Sequence, residues 1–92
     1  MYVLTVCGMG FGTSLMLLMD LQDIAKEHNF KITGEAMDIS SFKGKKADLI
    51  VASAEIAKTI ESDGIPVIGI KNILDKKEIE EKLLLFIQNT NN

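Results

Sequence analysis

The chain has 92 residues, a formal net charge of -3 and a pI near 5.0. That length predicts one domain over residues 1–92, and the acidic balance argues against a nucleic-acid partner, which normally meets a basic surplus. One cysteine and one histidine exclude an internal disulfide and leave no four-ligand zinc set.

Taken in chain order, 2–6 (Tyr-Val-Leu-Thr-Val) is a buried strand that runs into a glycine cluster. A helix is expected from Ser14 to His28, with Leu17, Leu18, Leu21, Ile24 and Ala25 on its apolar side and Asp20, Asp23 and Glu27 along the other. Phe30 to Asp38 reads as a second strand and Asp48 to Ala52 as a third. Ser53 is placed to cap a helix over Glu55 to Glu61, closed by Asp63-Gly64. Pro66 opens a fourth strand, Val67 to Ile70. Asp75-Lys76-Lys77-Glu78 has the spacing of a capping box, and the last helix runs to about Gln88 with Ile79, Leu83, Phe86 and Ile87 on its core side.

Strands alternating with helices predict a parallel sheet, because parallel neighbours need a crossover between them. The expected fold is a three-layer αβα sandwich, Rossmann-like, with four parallel strands in order 2-1-3-4 and flanking helices. Ligands of such sheets bind at the carboxyl ends of the strands, where the order reverses. Here that point is the end of the first strand. No apolar run approaches the ~20 residues that span a bilayer, and the first residues lack a basic leader, so a cytoplasmic location is expected.

The reversal point carries Cys7-Gly8-Met9-Gly10-Phe11-Gly12-Thr13-Ser14. Glycines let backbone N–H groups converge on an anion, and the start of a helix adds unpaired N–H groups and a positive dipole end. A thiol beside that end has its thiolate favoured. Thr13 and Ser14 add hydroxyl donors. A lone Cys at the end of a buried strand is commonly inert core, but a tight turn needs about one glycine rather than three, which favours chemistry at Cys7.

Three chemistries compete for this segment. A dinucleotide site needs a third glycine where Thr13 stands, and it leaves Cys7 idle even if Asp38 imitates the ribose-binding acid. A phosphatase of the low-molecular-weight type would place Cys7, five residues and then Arg before Ser14. Thr13 occupies that Arg position, and the whole chain has no Arg. Without the bidentate fork, phosphoryl hydrolysis loses its main clamp. A nucleophile and a cradle without that clamp suit a carrier that accepts a phosphoryl group and protects it from water. A non-catalytic interaction module, with no chemistry at Cys7, is the remaining possibility.

Cys7 through Ser14, followed by the apolar Leu15, resembles the phosphorylation loop of enzyme IIB components of the bacterial sugar phosphotransferase system. The similarity is strongest to the ascorbate-type branch, within the wider group that includes lactose and galactitol components. It extends over the whole chain, through Asp38-Ile39-Ser40 and 47–51 (Ala-Asp-Leu-Ile-Val). The resemblance implies that Cys7 is the nucleophile and that Gly8, Met9, Gly10, Phe11, Gly12, Thr13 and Ser14 hold the phosphate. It implies a phosphohistidine donor on enzyme IIA, a sugar acceptor in the membrane enzyme IIC, a cytoplasmic position reached through IIC, and no cofactor or metal.

Other residues have plainer expected roles. Met9, Phe11 and Met16 are candidates for partner contact, Met16 because it extends the helix side that carries Asp20, Asp23 and Glu27. Ser40, Ser41 and Ser53 belong to the same rim as Cys7 and are expected to be turn or cap residues. The basic run 43–46, with Lys45, is expected to be a solvated loop, and His28 a helix-terminal residue remote from Cys7.

Overall fold

The computed structural model describes residues 1–7, 11–40, 44–60 and 64–90. The elements are β1 (Tyr2–Val6), α1 (Phe11–Glu27), β2 (Thr33–Met37), β3 (Leu49–Ser53), α2 (Ala54–Thr59), β4 (Val67–Ile70) and α3 (Lys76–Thr90). The strands are all parallel and lie in the expected order β2-β1-β3-β4. Among the described residues, no helix is long and apolar enough to cross a membrane.

The inner strands β1 and β3 are apolar on both faces because both faces are covered. Strand alternation divides their side chains between two cores. Val3, Leu49, Val51 and Ile70 meet Leu17, Leu21 and Ile24 of α1 and Ile79 and Leu83 of α3. Each of these buried side chains contributes about 1.5–3 kcal/mol relative to exposure. The opposite face carries Leu4, Val6, Ile50 and Ala52, packed by Ile56 and Ala57 of α2. The layers are therefore unequal: two long helices cover one face, and a six-residue helix covers part of the other.

Two glycines permit close approach. A Cβ on Gly34 would collide with the Val3 backbone carbonyl on the neighbouring strand. A Cβ on Gly69 would meet Ala57 Cβ at 3.1 Å, so bare backbone here lets α2 lie against β4.

Several boundaries differ from expectation. α1 begins at Phe11 rather than Ser14, so Gly12 and Thr13 belong to its first turn. The first-turn N–H groups have no helix acceptor in any case, so glycine weakens a helix less there than in its interior. β2 starts at Thr33, because 28–30 close α1. Asn29 takes a left-handed backbone (φ 64), Phe30 N donates to Ala25 O at 2.9 Å and Asn29 N to Lys26 O at 3.3 Å, which is a Schellman closure. Ser53 precedes α2, but its side chain makes no capping hydrogen bond. α2 ends at Thr59, short of the expected Glu61, because Ile60 turns to an extended backbone as its C-cap; the Asp63 closure lies outside the described residues.

The capping box is half formed. Asp75 Oδ1 accepts from Lys77 N at 3.1 Å and Glu78 N at 3.3 Å. Glu78 does not return to Asp75, whose N–H is already donated to Asn72 O. Its carboxylate instead accepts from Lys71 N at 2.7 Å, Asn72 N at 2.9 Å and Lys82 Nζ at 2.7 Å. Lys82 Nζ also donates to Gly69 O at 2.6 Å. Glu78 thus clamps the β4–α3 turn, and the Lys82 hydrogen bond, then the two backbone donors, lower its pKa from the usual 4.5 to about 2.

Two expectations follow for stability. Gly34→Ala should lower the free energy of unfolding by about 1–3 kcal/mol through overpacking, read as a fall in urea midpoint. Glu78 binds protons more weakly folded than unfolded, so its contribution is complete above pH 4.5 and is lost as pH falls toward 2. Glu78→Gln should therefore be less stable than the parent at pH 7 and approach it near pH 2, in denaturant titrations at each pH.

Candidate functional site

Cys7 is the first residue beyond β1 and is 1% exposed. Its predecessor Val6 pairs with Met37 on β2 and Ala52 on β3, so the thiol stands at the carboxyl rim between both neighbours. This is the point where the strand order reverses, as the sequence implied. Alternation along β1 puts Cys7 on the face of Val3 and Thr5, beneath α1.

The first turn of α1 is bound to the sheet by two hydrogen bonds made by one residue. Thr5 Oγ1 donates to the backbone oxygen of Ser14 at 2.8 Å, and both residues are fully buried. Ser14 Oγ donates to Met37 O, at the end of β2, at 3.2 Å. The helix start is thereby held against β1 and β2. No acidic side chain occupies the first turn of α1, while Lys26 sits in its last. The positive end of the helix dipole is thus left uncompensated by the helix's own charges.

The predicted site residues separate by position. Cys7, Phe11, Gly12, Thr13 and Ser14 come together at the β1–α1 junction, Thr13 half-buried and Ser14 buried. Gly8, Met9 and Gly10 lie outside the described residues. Gly12 has a helical backbone, and a Cβ there would meet nothing within 4 Å. Its use is therefore open space above the helix start rather than a left-handed turn. Ser14 was expected as a phosphate donor through its hydroxyl; here that hydroxyl donates to Met37 O and ties α1 to β2.

The remaining candidates divide in the same way. Met16 is 54% exposed, and Leu15 and Met19 beside it are 41% and 55% exposed. The cause is the offset of α3. Lys76, at its start, approaches Asp23 at 3.9 Å and Glu27 at 4.0 Å, and Glu80 meets His28 at 2.9 Å. α3 therefore begins beside the second half of α1 and leaves the outer side of the first half uncovered. These pairs also fix His28 at the far end of α1, in the helix-terminal role expected of it.

Ser40 is a turn residue: its N and Oγ donate to Asp38 Oδ1 at 3.1 and 2.9 Å. Asp38 is therefore engaged in this turn. Ser53 stands on the rim beside Cys7, one step beyond Ala52 in β3. Ser41 and Lys43 lie outside the described residues. Lys45 pairs with Glu35 at 3.8 Å. With Gly44, Lys46, Ala47 and Ile65, Lys45 lines an open depression of about 430 Å³ near the amino ends of β3 and β4, at the opposite end of the sheet from Cys7.

Sequence reading passed over Thr5. Its signal was a single hydroxyl inside an apolar strand, two residues before the cysteine and so on the same face.

A lone thiol under an uncompensated helix start, at the reversal point of a parallel sheet, is an arrangement for handling an anionic group. The comparisons make that class specific. The family described as "PTS system, Lactose/Cellobiose specific IIB subunit" matches residues 2–84, and the chain belongs to it. It is a phosphotransferase component of the sugar phosphotransferase system, acting as a phosphoryl carrier; family members work with IIA and IIC components.

Two relatives are ascorbate-specific PTS system EIIB components. The Salmonella choleraesuis protein is 32% identical over 89 residues, covering 94% of this chain and 88% of the relative. The Mycoplasma pneumoniae protein is 27% identical over 86 residues, 90% of each chain. The lactose-specific IIB domain from Streptococcus pneumoniae superposes with a TM-score of 0.66 at 17% identity, over 96% of this chain and 95% of that one, and so shares the fold.

Because the space beside Gly12 is open and its backbone already helical, Gly12→Ala should raise stability by about 0.4–1 kcal/mol, read as a higher midpoint in thermal denaturation.

Proposed function

We propose that Cys7 is the residue that carries the phosphoryl group, as a single relay domain between a phosphohistidine on IIA and a sugar bound in IIC. The observation that supports this most is the position of the chain's sole thiol beneath the start of α1. In the first step the Cys7 thiolate attacks phosphorus. An S–P bond forms, the N–P bond to the donor imidazole breaks, and its electron pair stays on the ring nitrogen. In the second step a sugar oxygen attacks the same phosphorus, the S–P bond breaks, and the thiolate returns while the sugar hydroxyl loses its proton.

The phosphate cradle is read as Gly8, Met9, Gly10, Phe11, Gly12, Thr13 and Ser14. Amide donors and the helix dipole hold the anion without a guanidinium. The absence of Arg from the whole chain favours a carrier over a hydrolase, since the clamp that would stabilise attack by water is missing. No cofactor or metal enters either step.

Leu15, Met16 and Met19 form an exposed apolar strip on the same half of α1 as the thiol. Together with Met9 and Phe11 they are read as the surface that meets IIA and then IIC. Unbranched methionines suit a surface that must fit two partners in turn. The substrate is read as ascorbate or a related polyol, by extension from the two ascorbate-specific relatives. The working location is cytoplasmic, at the inner membrane through IIC.

Mixing the protein with phosphorylated ascorbate-type IIA should add one phosphate to the wild type and none to Cys7→Ser, as read by intact-protein mass spectrometry. A phosphate retained on the Ser variant would contradict Cys7 as the acceptor, as would an unmodified wild type.

A further inference from the structure

We infer that Thr5 is a positioning residue for phosphoryl transfer, its hydroxyl holding the first turn of α1 in place over Cys7. The inference rests on the reading of Cys7 as the acceptor. Thr5 is fully buried in the central strand of the sheet, between Leu4 and Val6. Valine would fill this site with the same shape and strand preference and would bury no polar atom. The hydroxyl is explained by its bond, 2.8 Å to the Ser14 backbone oxygen.

That bond spans nine residues and crosses the segment that contains Cys7 and most of the proposed cradle. A carbonyl oxygen has two lone pairs, so Ser14 can accept from Thr5 and still serve the helix. The second bond, Ser14 Oγ to Met37 O at 3.2 Å, anchors the same residue to β2. One anchor alone leaves the helix start free to pivot; two anchors on adjacent strands fix both its height and its rotation relative to the thiol. The donors of that first turn are the groups that must meet the phosphoryl oxygens. A misplacement of about 1 Å can cost on the order of 100-fold in rate.

The test compares wild type, Thr5→Val and Thr5→Ser in single-turnover phosphorylation by phosphorylated ascorbate-type IIA. Thr5→Val should reduce the maximal rate constant about tenfold or more with the half-saturating IIA concentration unchanged, and Thr5→Ser should restore most of it. Amide hydrogen exchange of residues 15–18, whose N–H groups bond back to the first turn of α1, should be faster in Thr5→Val, while α3 stays as protected as in wild type. A Thr5→Val protein that transfers at the wild-type rate overturns the inference. Equal slowing in both variants does so too, because Thr5→Ser keeps the hydroxyl and the rate would then not follow it. If the wild type itself takes no phosphate, the carrier reading fails, and exchange at residues 15–18 decides the tether alone: faster exchange in Thr5→Val supports it, and wild-type protection overturns it.

Discussion

The site depends on where the start of α1 is held relative to the end of β1. A thiol at the end of a strand is only a buried sulfur until amide donors are brought against it. The start of α1 is held by Ser14, which accepts from Thr5 on β1 and donates to Met37 on β2. Both strands are in register through 2–6 and 33–37, so the anchors move as one unit. The rest of the fold supports that unit. Gly34 lets β2 lie close against β1, and Leu17, Leu21 and Ile24 pack α1 on the sheet below the junction.

The same economy explains the exposed half of α1. α3 lies beside the second half of α1, where Lys76 approaches Asp23 and Glu27 and His28 meets Glu80. Each exposed ion pair contributes little, about 0–1 kcal/mol, so the offset is fixed mainly by Ile79 and Leu83 and by the Glu78 clamp on the β4–α3 turn. The consequence is an exposed apolar strip, Leu15, Met16 and Met19, on the first half of α1.

Much of this was legible in the sequence. Strand order followed from alternating strands and helices, and the place of Cys7 followed from strand order. The core sides of α1 and α3 followed from helical periodicity, including Leu17, Leu21, Ile79 and Leu83. Less legible were features in which two local rules compete. The glycines at 10 and 12 argue against a helix, yet α1 begins at Phe11, because a first turn has no ladder bonds for glycine to weaken. Glu78 has the spacing to serve Asp75, yet its carboxylate takes two amides of the preceding turn and a lysine instead. Thr5 is an ordinary strand former by composition, and only its hydrogen bond partner, nine residues away, shows its use. Such contacts are tertiary and leave no periodic trace.

The central claim is that the phosphoryl group resides on sulfur at the β1–α1 junction. Phosphorus-31 NMR of the protein after reaction with phosphorylated IIA tests it most directly, because sulfur-, nitrogen- and oxygen-linked phosphates give distinct resonances. The chain has one cysteine and one histidine, so the assignment is unambiguous. The account predicts a single sulfur-linked resonance, from Cys7. On the protein separated from IIA, a nitrogen- or oxygen-linked resonance with none from sulfur would contradict it.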